Sequence, residues 1–271
     1  MGGEKMRTAG YYLKIYGMLA GQYLKERMQF RVDFFCEIVG MIVVNIFEFL
    51  SYWVIFHSIT AIGEWNFNEI LLLYGFSLLA MSPQQLLLDN SWSLFHKVVS
   101  GEFLKYCFRP VNILFYYMSE TVDVKGFSQA VLGIVFLSYG WKKQMLPVTV
   151  KSICLLLFFL FGAVLICMGL MILSSACGFL GGGTNAAMFL ASQLKGYSRY
   201  PLSIFGKGIR FLFTTVIPVG FVAYYPVSYF LPDKGTNPLL AGISPLVGIV
   251  FFLFSCKVWT VCGERYAGTG S

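Results

Sequence analysis

Residues 150–174 read VKSICLLLFFLFGAVLICMGLMILS, and Lys151 is the one charged residue among them. A helix rises ~1.5 Å per residue, so a segment of this length exceeds the ~30 Å of bilayer hydrocarbon. No soluble core accounts for so long and so uniformly apolar a run. The stretch predicts a membrane-spanning helix, and the rest of the chain repeats its character. Further apolar segments lie at 34–57, 69–88, 126–141, 207–230 and 241–262. The expected fold is therefore all-α, a polytopic membrane protein with six transmembrane helices. Its organisation reads as a cytoplasmic N-terminus and interfacial helix over 1–33, a membrane domain over 34–262, and a cytoplasmic tail over 263–271.

Composition agrees. Of 271 residues 57% are hydrophobic and only 12% charged, against about 25% charged in an ordinary soluble domain; mean hydropathy is +0.70. The segments between spans are too short for a soluble catalytic domain, and no cleavable signal peptide is expected ahead of the first span. The seven cysteines (Cys36, Cys107, Cys154, Cys167, Cys177, Cys256, Cys262) form no CxxC pair, and His57 and His96 lie far apart, so no metal site is expected.

Three segments are neither greasy enough to span nor polar enough for a loop. In residues 8–31, Tyr12, Ile15, Tyr16, Leu19 and Tyr23 recur every three or four positions beside Lys14, Lys25 and Arg27. That pattern predicts an amphipathic helix in the headgroup region. Residues 100–112, SGEFLKYCFRPVN, place Glu102, Lys105 and Arg109 among Phe103, Tyr106 and Phe108 and stop at Pro110; a helix between the second and third spans is expected. Residues 178–201 read as a helix packed on the membrane surface. An even number of spans puts both termini on one side. That side then holds most Lys and Arg, including Lys97, Lys195, Arg199, Lys207 and Arg210, while Lys142, Lys143, Lys151 and Lys234 fall opposite. By the positive-inside bias the termini are expected in the cytoplasm. The net charge of +7 is then membrane-surface charge, with no nucleic-acid partner and membrane lipid as the surroundings.

Polar groups inside the spans are the candidates for a pathway or a helix interface. The first span holds Glu37, Asn45 and Glu48. The fifth holds Pro218, which removes a backbone hydrogen bond and kinks a helix, then Tyr224 and Tyr225, which suit an outer aromatic belt. No ladder of charged residues and no internal repeat points to a pump or secondary carrier. The glycines at 181–183 and the Gly206-Lys207-Gly208 run do not make a phosphate-binding G-x-x-x-x-G-K-[ST] loop. No nucleotide site is expected in this chain.

Four motifs resemble the permease subunits of the ABC-2 family of transporters, six-span components of bacterial export systems. They are Arg31-Val32-Asp33-Phe34 before the first span; GEFLKYCFRP at 101–110, similar to the family's Gly-Glu-Leu-Asp-x-x-Leu-Leu-Arg-Pro; Tyr200-Pro201 through Arg210 to Ile217-Pro218-Val219 and Tyr224-Tyr225-Pro226; and the ending from Arg265 to Ser271. Leu104 stands where the family commonly carries an acid. The resemblance implies that two permeases, identical or homologous, pair above two cytoplasmic ATPase subunits, which bind the ATP and Mg. It implies that Glu102, Phe103, Lys105, Tyr106, Phe108 and Arg109 form a coupling helix on the ATPase, and that substrate leaves across the cell membrane. An amphipathic, peptide, drug or lipid-like cargo suits such apolar spans. The residues leave two other readings open. One is an integral-membrane lipid-modifying enzyme, for which only isolated polar groups such as Glu48, His57 and Asp89 are present. The other is a stand-alone carrier.

Overall fold

In chain order the helices are α1 (Ala9–Arg27), α2 (Arg31–Ser58), α3 (Phe67–Leu87), α4 (Leu94–Val99), α5 (Leu104–Cys107), α6 (Ile113–Met118), α7 (Lys125–Lys143), α8 (Val150–Ala176), α9 (Thr184–Gly196), α10 (Lys207–Phe211), α11 (Tyr224–Tyr229) and α12 (Pro238–Glu264). The computed structural model describes residues 9–29, 31–58, 61–180, 184–234 and 236–266, without the side chains of Arg31, Phe34, Glu48 and His57 among others. Among the described residues the one pair of strands is a hairpin between α2 and α3. Strands β1 (Ala61–Ile62) and β2 (Trp65–Asn66) pair antiparallel, Ala61 opposite Asn66 and Ile62 opposite Trp65. The glycines at 181–183 and the ending at 267–271 lie outside the described residues.

Among the described residues three helical stretches are long and apolar enough to cross a membrane: α3, Val150–Leu180 containing α8, and α12. Helix α3 is the axis of the bundle. Its most apolar stretch is 72% buried, against 28% for α12, which fits a helix that is hydrophobic all round. Asn66 starts it with a capping box: its side chain accepts from Glu69 N (3.0 Å), and the Glu69 carboxylate accepts from Asn66 N (2.8 Å).

Two glycine seams set the closest helix pairs, α3 with α7 and α8 with α12. Gly126, Gly133 and Gly140 recur every seventh residue of α7 and face α3. A Cβ on Gly126 would fall 2.7 Å from Ser82 O. On α8, a Cβ on Gly162 would fall 2.5 Å from Pro245 Cα of α12. In a bilayer lipid already solvates apolar side chains, so helices associate through close packing, and small residues allow it.

The bundle has two poles. One gathers the hairpin, the start of α3, the end of α7, the start of α8, α10, α11 and the start of α12 around a core containing Trp65, Phe159, Phe213, Phe221 and Ala241. The other gathers the end of α3, α4–α6, the ends of α8 and α12 and the start of α9 around Leu94, Phe103, Tyr117, Met188 and Trp259. Helix α1 joins the second pole through Tyr12, whose ring meets Phe115 edge-on at 4.9 Å, and through Arg27, paired with Glu37 at 3.1 Å. The stripe Tyr12, Ile15, Tyr16, Leu19 and Tyr23 is its half-buried face, as the spacing predicts.

Two sequence expectations are corrected. Residues 184–201 do not form a separate surface helix but pack along α3. Helix α9 and the 3-10 turn Tyr197–Arg199 run back through the bundle antiparallel to α3: Lys195 bonds Gln84, Ser77 donates to Ser198 O at 3.0 Å, and Arg199 stands over the Tyr74 ring at 5.4 Å. Nor is 207–230 one kinked helix. It breaks into α10, a π-helical turn Leu212–Val216, an extended Ile217 (φ −119°, ψ 97°), a 3-10 turn Val219–Phe221 and α11. The physical reason is Pro218. It lacks an N–H, and its ring forces the preceding residue into extended backbone. Lys207 and Arg210 consequently belong with the hairpin pole, opposite to where the charge count puts them.

Candidate functional site

Residues 100–112 form a compact turn, not a helix from Glu102 to Arg109. Gly101 adopts φ +78°, a left-handed conformation that glycine alone takes without strain. This reverses the chain between α4 and the single helical turn α5. The reversal divides the candidate residues. Phe103 and Tyr106 are fully buried. Phe103 meets Phe179 (5.0 Å), Tyr266 (5.6 Å) and Trp259 (6.1 Å) edge-on. Glu102, Lys105, Phe108 and Arg109 are exposed, Phe108 at 82% and its neighbour Leu104 at 39%. Spacing alone assigns all the aromatics to one outward face; here only Phe108 is outward, because Phe103 and Tyr106 close the aromatic core of the pole.

Glu120 holds this turn and was not a sequence candidate. Its carboxylate accepts from Lys97 (2.9 Å), Lys105 (2.9 Å) and the Tyr106 hydroxyl. Partial burial alone would raise the Glu120 carboxyl. The hydrogen bonds from Tyr106, Lys97 and Lys105 outweigh it and hold the group at about 2. Burial and the bond to Glu120 push the Tyr106 phenol up, so it stays a donor. Behind this, Asn90 and Tyr117 exchange bonds: Asn90 Nδ2 donates to Tyr117 O (2.6 Å) and Tyr117 OH to Asn90 O (2.7 Å). A lone glutamate 15 residues beyond Lys105 carries no local signal, since the three short helices bring it there.

The pathway candidates do not converge on one point. Glu37 pairs with Arg27 at the α4–α6 pole. Asn45 is buried at the α2–α3 contact, its side chain donating to Met41 O (2.7 Å) and its carbonyl accepting from Tyr74 OH (3.2 Å). Glu48 lies in α2, with its side chain outside the described residues. Asp89 sits at the end of α3, where burial and the facing Asp123 raise its carboxyl.

Pro218 makes the break described above. Tyr224 and Tyr225 are buried, not in an exposed belt. The Tyr224 ring lies 5.8 Å from Trp65, and Tyr225 OH pairs with Thr214 Oγ1 at 2.8 Å. Both line a cavity of about 500 Å³ at the hairpin pole.

A family model described as ABC-2 family transporter protein matches residues 42–270. No curated protein and no solved structure matches the chain.

Proposed function

The chain belongs to the ABC-2 family of transporter proteins, and from that premise we propose that it is the membrane-spanning permease of an ABC exporter. In this reading it lies in a bacterial inner membrane with both termini and the α4–α6 pole in the cytoplasm. The six spans are α2, α3, α7, α8, the α9 run and α12. Residues 1–33 form the interfacial entry, 34–262 the membrane domain and 263–271 the tail. A second permease, identical or homologous, completes the pathway, and cytoplasmic ATPase subunits bind the ATP and Mg. The cargo is amphipathic, a peptide, a drug or a lipid-like molecule.

The observation that carries the coupling role is the division within 100–112. Glu102, Leu104, Lys105, Phe108 and Arg109 offer a small exposed patch of apolar and charged surface, the composition of an interface anchor. Directly beneath it Phe103 and Tyr106 are locked into the ends of α8, α12 and α6. A push on the patch is therefore delivered to the spans through packed rings and the Glu120 bonds, with no slack loop between. The break at 217–223 is the one feature favouring a stand-alone carrier. A carrier built from repeats would carry a matching break in the first half, where α3 and α7 run unbroken.

The test is co-purification of a cytoplasmic ABC ATPase subunit co-expressed with this chain. Phe108→Asp and Arg109→Glu are expected to abolish ATPase capture while the permease inserts normally. Undiminished capture with both variants would sink the docking reading.

A further inference from the structure

The cavity at the hairpin pole is built, polar and unused by the coupling role. One wall is the β1–β2 turn with Glu64; another is Ser203 with Arg210, Tyr224 and Tyr225 of the broken segment; the third is the start of α12 at Asn237. Its volume of about 500 Å³ is that of an ordinary small-ligand pocket.

The walls are pinned to one another. Lys234 pairs with Glu69 at 2.7 Å, donates to Glu64 O and stands 5.2 Å over the Trp65 ring. That ties the loop before α12 to the hairpin and to the α3 cap. The cavity thus exists before any ligand arrives.

Its chemistry is uneven in an informative way. Lys234 is consumed by Glu69, but Arg210 has no carboxylate partner among the described residues. Its side chain makes one hydrogen bond there, from Nη2 to Ser203 O at 2.9 Å. Opposite it the exposed Glu64 carboxylate has no ion-pair or hydrogen-bond partner among the described residues. A guanidinium left with free donors matches an anionic oxygen group, which it binds through paired N–H bonds. A free carboxylate on the facing wall matches an ammonium.

We propose that this cavity binds a zwitterionic headgroup, with its anionic oxygens on Arg210 and its amine on Glu64. Tyr224 and Tyr225 line the cavity together with these two charges. The site stands apart from the export reading, because it is read by binding to the full chain without an ATPase.

The experiment is calorimetric titration of the full-length chain, purified lipid-free in maltoside detergent. The probes are phosphoethanolamine, inorganic phosphate, ethanolamine and dihexanoyl phosphatidylethanolamine. Phosphoethanolamine is expected to bind more tightly than phosphate or ethanolamine alone. Arg210→Gln is expected to weaken it about tenfold, the usual scale for losing a charge-assisted contact, and Arg210→Lys less. Glu64→Gln should weaken phosphoethanolamine severalfold and leave phosphate unchanged. Both side chains are exposed, so these variants should fold; their melting temperatures check that. Tighter binding of the short-chain lipid identifies a lipid as the source of the headgroup, and equal binding a soluble zwitterion. Failure of wild type to bind phosphoethanolamine, or wild-type affinity in Arg210→Gln, overturns the proposal.

Discussion

The two poles of the bundle are built oppositely. At the α4–α6 pole aromatic rings fill the interior and charged groups are pushed outward, so that Phe103 and Tyr106 are packing while Phe108 and Arg109 are left exposed. At the hairpin pole a broken helix leaves the interior hollow, and tyrosines that would otherwise face lipid line a cavity. A solid end suits transmission of force, because close-packed interiors pass strain on with little compression. A hollow end suits capture of a ligand. The difference teaches that aromatic residues of similar spacing in the sequence end up packed, exposed or lining a cavity according to what the backbone does beside them. Gly101 turns one set inward; Pro218 opens a space under the other.

That contrast can be broken by substitution. The largest effect is expected inside the solid pole. Phe103→Ala should cost about 3–5 kcal/mol of stability, as buried aromatic truncations do, measured by denaturation in detergent micelles. A loss under 1 kcal/mol would mean the pole is not packed as described. Next is the α3–α7 seam that both poles share. Gly126→Val inserts a side chain where a Cβ already lies 2.7 Å from Ser82 O, and a cost of about 1–3 kcal/mol is expected; an unchanged melting temperature would deny the close approach.

Glu120→Gln should cost about 1 kcal/mol, a value reduced for its partial exposure to solvent. Its carboxyl is held below the ordinary 4.5, at about 2. The stabilisation is therefore complete above about pH 4.5 and is lost as pH falls toward about 2. The stability gap between wild type and Glu120→Gln should close over that window, and a constant gap would show that the carboxylate does not carry it. Smallest is Phe108→Asp, which should move stability by no more than about 0.5 kcal/mol while removing ATPase capture. Substantial unfolding by this variant would place Phe108 inside the pole and erase the inward–outward division.

Much of the architecture was legible. The segment at 150–174 announces a spanning helix by length alone, and α1 follows the 3–4 spacing of its tyrosines because a helix lying along a surface must segregate its faces. The site was legible only in outline. The 100–112 stretch was marked by its mixture of charge and aromatics, but spacing could not tell which rings turn in. Glu120, remote from Lys97 in sequence, became visible only when three short helices brought them to 2.9 Å. The α9 segment misled because Lys195 and Arg199 read as surface charge. Burial inside the bundle, with Gln84 and the Tyr74 ring as neighbours, is a tertiary matter.

By itself the sequence determined that this chain lives in a membrane and that its spans are helical, since a backbone in hydrocarbon must satisfy its own hydrogen bonds and a mainly apolar run as long as 150–174 can do so only as a helix. Tertiary structure alone decided which polar residues are brought together and which aromatics face outward. Those outcomes depend on where Gly101 and Pro218 redirect the backbone relative to helices far away in sequence, and local composition does not encode that direction.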